Sequence, residues 1–86
     1  MGLDGFKAMR RTHPIRIQAP DMSGVYDYNV YHERYRGTET RLIATRVSED
    51  QIEALLTEQE YRKFCAGSYK FRVSGQKLAE VLEVLI

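Results

Sequence analysis

Apolar and polar residues alternate in three places along the chain, a period of two that marks strands with one buried face. Ile15-Arg16-Ile17-Gln18-Ala19 is the first, entered through His13-Pro14, where proline pushes its predecessor toward extended geometry. Val25–Tyr35 and Thr40–Ser48 are two β-rich runs joined across Arg36-Gly37-Thr38-Glu39, which reads as a hairpin. Tyr69, Phe71 and Val73, interleaved with Lys70 and Arg72, are the third. With Gly37-Thr38 at the hairpin tip, Tyr28 faces Val47, Val30 faces Thr45 and His32 faces Ile43. Tyr26, Tyr28, Val30 and His32 then share a candidate core face with Ile43 and Val47. Asn29, Tyr31, Glu33 and Tyr35 share the other with Leu42, Ala44 and Arg46, and a one-residue slip would exchange the two.

The helical signals begin at Ser48-Glu49-Asp50-Gln51, a capping box that opens a helix with Ile52, Leu55 and Leu56 on one stripe. Thr57-Glu58-Gln59-Glu60 repeats the box, so the helix can either run on or break there and restart with Tyr61, Phe64 and Cys65 at i, i+3 and i+4. That spacing places Cys65 on the apolar stripe, where a free cysteine behaves as a small hydrophobe. Gly67 is a natural terminator. Ser74 caps a last helix from about Gly75 to Ile86, whose apolar residues span about 220° of the circumference, when one buried face needs little more than about 100°. The expected fold is α+β: a small single-layer antiparallel sheet of about four strands in the order β-β-β-α-β-α, covered on one face by two or three helices. Residues 1–13 read as a loosely held basic arm, and residues 14–86 as a single domain.

Length and composition add limits. Eighty-six residues at 10.0 kDa allow one thin core. With 43% hydrophobic and 29% charged residues the chain reads as globular, and a net charge of +1 gives no general attraction to nucleic acid or membrane. A single cysteine, no apolar leader and no membrane-length apolar run point to a soluble protein of the reducing cytoplasm, with no membrane partner. Gly2 lacks the Ser or Thr at the sixth position that myristoylation wants, since Phe6 stands there.

Catalysis finds little support. The nucleophile candidates are Cys65, Ser23, Ser48, Ser68 and Ser74, with His13 and His32 as the bases of the right type. Ser48 and Ser74 are helix caps, however, and no nucleophile elbow, phosphate loop or metalloprotease motif is present. His32 reads as a hydrogen-bonded sheet residue. His13, His32 and Cys65 match no structural zinc spacing, so neither a metal nor a cofactor is expected.

Three surface patterns remain. Residues 49–60 carry five acids and no bases, and residues 61–77 carry five bases and no acids. Arg62, Lys63, Lys70 and Arg72, with Arg10 and Arg11 of the arm, form a candidate nucleic-acid surface. Inward-pointing Tyr69 and Phe71 would leave it without exposed stacking platforms. Four of the six tyrosines lie on one strand, and Tyr31 and Tyr35 with Arg34, Arg36 and Arg41 form a candidate protein-docking surface, because Tyr and Arg dominate interface hot spots. Val81, Val84, Leu85 and Ile86 on the broad apolar helix form a candidate homodimer interface. These patterns predict a small non-enzymatic protein-binding module, an adaptor or inhibitor of the accessory kind that phages and mobile elements carry. A nucleic-acid-binding domain is the alternative.

Overall fold

The computed structural model describes residues 10–19, 27–34 and 37–85. Strand β1 (Thr12–Gln18) is followed by β2 (Tyr28–His32), β3 (Arg41–Val47), α1 (Glu49–Leu55), α2 (Glu58–Cys65), β4 (Lys70–Ser74) and α3 (Gly75–Leu82). The strands form one antiparallel sheet in the spatial order β3-β2-β1-β4. The protein is thus a small α+β fold with the expected chain order, its central helical region divided in two at Thr57.

Strand β1 sits inside the sheet although it contains a proline, which lacks the N–H that a central strand needs. The backbone phase accommodates it. Glu33 N–H donates to the Pro14 carbonyl at 2.9 Å, so position 14 turns its backbone toward β2. The return bond is the one that proline cannot make. Thr40 Oγ1 instead lies 3.5 Å from the Glu33 carbonyl and donates to it. The strand begins at Thr12, so Thr12 and His13 belong to the sheet and not to an arm. Arg11 is tied in as well, its carbonyl accepting from Gly75 N–H at 3.0 Å.

The β2–β3 register departs from even alternation. Tyr28 pairs with Val47 as expected, but Val30 pairs with Ala44, Tyr31 with Leu42 and His32 with Arg41. Two steps on β2 meet three on β3, and then one step meets two, so β3 carries two extra residues. Arg46 absorbs the first with φ +54°, a left-handed conformation typical of bulges and uncommon for a residue with a Cβ. The bulges move Ala44 to the core side, where it is half-buried, and Ile43 still packs against the core.

Alternation holds elsewhere and sets the core. Ile15, Ile17, Val30, Val47, Phe71 and Val73 from the sheet are buried together with Ile52, Leu55, Leu56 and Leu78 from the helices. Both capping boxes are complete, with the Ser48 and Thr57 hydroxyls accepting from Gln51 and Glu60 N–H, and the Gln51 and Glu60 side chains accepting in return. Each such cap stabilises by about 1 kcal/mol. The acids that follow the caps and the bases at the end of α2 both complement the helix dipole, which accounts for much of the block pattern of charge.

Three expectations change. Helix α2 buries no residue completely, and Cys65 is exposed. Tyr69 precedes β4 instead of pointing into the core and is 53% exposed. Helix α3 stops at Leu82, because Glu83 takes a left-handed conformation with φ 58° that ends the helix. Val81 and Leu82 pack against the core and Val84 is half-buried, while Leu85 is 83% exposed. The broad apolar helix surface expected for a dimer is therefore split between core and tail, and Ile86 lies outside the described residues.

Leu78→Ala is expected to cost about 2–5 kcal/mol, because it empties a fully buried site. Leu85→Ala should change stability by less than about 0.5 kcal/mol. Urea unfolding of both variants checks this, and equal losses would place residues 83–85 in a packed helix.

Candidate binding surface on the uncovered sheet face

Among the described residues, the face of the sheet opposite the core contains none of the buried ones. Register brings Leu42 of β3, Tyr31 of β2, Arg16 of β1 and Lys70 of β4 into one row across it. The Arg16 guanidinium lies over the Tyr31 ring, 4.6 Å from its centroid. Such a stack contributes about 0.5–1 kcal/mol at an exposed site. Glu33 stands beside the row, 4.0 Å from Arg16 Nε and 3.9 Å from Lys70 Nζ. Arg72 donates to the Thr12 hydroxyl at 3.2 Å and to the Thr12 carbonyl at 3.4 Å. Exposed pairs of this kind add little stability. Leu42, 45% exposed, ends the row as an apolar neighbour of Tyr31.

The residues singled out in the hairpin separate. Tyr31 is half-buried at the centre of the row, and Arg34 is exposed in the turn after β2. Arg41 pairs with His32 and so projects toward the opposite face from Tyr31 and Leu42. Tyr35 and Arg36 lie outside the described residues. The candidate nucleic-acid residues also separate. Arg62 pairs with Glu58 along α2 at 2.9 Å, while Lys63, Lys70 and Arg72 line an open concavity of about 640 Å³ together with Glu33 and Glu60. Arg10 and Arg11 are exposed at the start of β1, by the far end of β4.

Arg16 and Tyr69 were not anticipated. Both line a second concavity of about 630 Å³ at the end of β1, with Tyr28, Phe64, Cys65 and Glu49. Phe64 meets Tyr28 edge-on at 5.4 Å and stacks on Tyr61 at 6.0 Å. Burial, a hydrogen bond with Cys65 and the nearby charges of Glu49 and Glu53 push the Tyr61 phenol up to about 12. The sequence signal for Arg16 was its place between two buried isoleucines, but its partner depends on the β1–β2 register.

Behind the row, on the core face, His32 is only 2% exposed. Arg34 N–H donates to His32 Nδ1 at 3.1 Å, so the proton of the neutral ring sits on Nε2. That Nε2–H donates to His13 Nδ1 at 3.1 Å, which places the His13 proton on its own Nε2. Both His32 nitrogens are thus engaged, and the ring offers no lone pair to a metal in this arrangement. Among the described residues no group of three or more His, Cys, Asp or Glu gathers at a metal-binding spacing, and no described helix is long and apolar enough to cross a membrane. Comparison with models of known families, with curated proteins and with solved structures finds no match.

Burial pushes the pKa of His32 below the ordinary 6.5, and electrostatic repulsion between the two imidazoles on protonation adds to the shift against an opposing backbone hydrogen bond. The unfolded chain then takes up the proton first. Stability is full above about pH 6.5 and falls as the pH drops through that value. Thermal unfolding followed from about pH 7 to 5 should show a falling midpoint, and His32→Gln should flatten the slope. The same slope in both proteins would assign the pH dependence to other groups.

Proposed function

We propose that the chain is a small non-enzymatic protein-binding module of the cytoplasm, an adaptor or inhibitor that docks on a protein partner through the uncovered sheet face. The observation that carries this reading is Arg16 laid on the Tyr31 ring beside half-exposed Leu42, on a face with no buried residue among those described. Tyr and Arg supply large contact area at interface hot spots, and here the two already lie against each other. The exposed thiol of Cys65 suits a reducing compartment.

Tyr31→Ala should keep the fold and weaken partner binding at least about tenfold, a loss typical of a modest hot spot. Arg62→Ala, on the far helix, should leave binding unchanged. Titration of the tagged protein against the partner it retains after nuclease treatment gives both numbers. Equal affinity of wild type and Tyr31→Ala would remove this face from the site.

A nucleic-acid reading is favoured by one feature, the exposed Tyr69 ring with Lys70 Nζ 5.9 Å from its centroid. It requires binding of a single-stranded oligonucleotide that falls steeply with salt. A flat response between low and moderate salt excludes it.

A further inference from the structure

The hydrogen-bond phase of β4 shows which of its backbone groups are used. Ile17 N–H donates to the Tyr69 carbonyl at 2.8 Å, and Gly75 N–H donates to the Arg11 carbonyl at 3.0 Å. Both pairs follow the β1–β4 register, so positions 69, 71, 73 and 75 turn their backbone toward β1. Lys70 and Arg72, in the alternate phase, turn their N–H and C=O groups away from the sheet. Among the described residues β4 pairs with β1 alone, and it ends the sheet. A second strand laid there would find two donors and two acceptors spaced two residues apart.

The side chains decide what kind of strand fits. Lys70 and Arg72 are exposed on the uncovered face, while Phe71 and Val73 are buried on the other. Lys63 joins Lys70 and Arg72 in the concavity beside the strand. Of the two acids there, Glu33 is already shared between Arg16 and Lys70. A second copy of β4 is a poor partner. Antiparallel pairing centred on Phe71 sets Lys70 against Arg72, pairing centred on Arg72 sets it against itself, and parallel pairing in register repeats the conflict. Like charges directly opposite destabilise a sheet, and lysine on an edge is a common guard against self-association. An acidic strand reverses the sign of each contact.

We infer that the outer edge of β4 receives an extended acidic peptide segment as a fifth strand, with carboxylates two residues apart opposite Lys70 and Arg72. This surface lies across the sheet from Leu42 and does not depend on docking through Tyr31. Backbone pairing supplies the affinity and the alternate carboxylates supply the selectivity.

The test is amide hydrogen exchange on the full chain at low salt, with a blocked heptapeptide that alternates threonine and glutamate. Saturating peptide should slow exchange at the Lys70 and Arg72 amides at least about tenfold, with little change at Phe71 and Val73, which already bond to β1. The same peptide N-methylated at its glutamates, or with lysine for glutamate, should give no protection. Lys70→Glu with Arg72→Glu should transfer the preference to the lysine peptide. If that variant fails to fold, the N-methylated peptide decides the matter on the wild-type chain. Unchanged exchange at both amides overturns the inference. So does equal protection by the N-methylated peptide, which would mean charge attraction without strand addition. Equal protection by a single-stranded oligonucleotide would assign the edge to nucleic acid instead. Tyr31→Ala should leave the protection intact, so the two surfaces stand or fall separately.

Discussion

Strand β1 divides its backbone between two neighbours, and that division constrains the rest of the structure. Its odd-numbered positions bond to β4 and its even-numbered positions bond to β2. The same alternation sends Ile15 and Ile17 into the core and Arg16 to the uncovered face. A proline is tolerable at position 14 because its missing donor falls opposite a carbonyl that Thr40 can reach. In the phase of β4, this parity leaves the backbone of Lys70 and Arg72 facing outward. One strand thus fixes the core, the exposed row and the open edge together.

Arg16 shows how little of a surface belongs to a single element. It stacks on Tyr31, approaches Glu33 and lines the aromatic concavity with Tyr28, Phe64 and Tyr69. Two basic neighbours flank Glu33 from either side, and pairs of this kind bring only a modest energetic gain.

What the sequence made legible was local. Both capping boxes, the break at Thr57 and the alternation of Phe71 with Val73 follow from residues within a few positions of one another, and the pairing of Tyr28 with Val47 follows from the hairpin between them. The misses have physical reasons of two kinds. At Arg46 and Glu83 the backbone turns left-handed without a glycine or asparagine to announce it, which shifted the register of β3 and shortened α3. At Arg16, His13 and Cys65 the environment depends on strands and helices distant in sequence. Tyr31 was identified from its alternation alone, but the arginine that covers it required the β1–β2 register. Arg41 was grouped with Tyr31 by proximity along the hairpin, and pleating sends the two to opposite faces.

The contact between Arg72 and Thr12 spans sixty positions of the chain, whereas β2 and β3 meet across a short turn. Closing the longer loop costs roughly 2 kcal/mol more in chain entropy. The hairpin can form early and locally, but β4 must wait for a distant search to succeed. Ser74 is both the last residue of β4 and the cap of α3, so strand and helix arrive as one unit. Until then the second side of β1 is itself an unoccupied edge. A nascent chain of this protein therefore carries a template for mispairing that its own C-terminal segment removes.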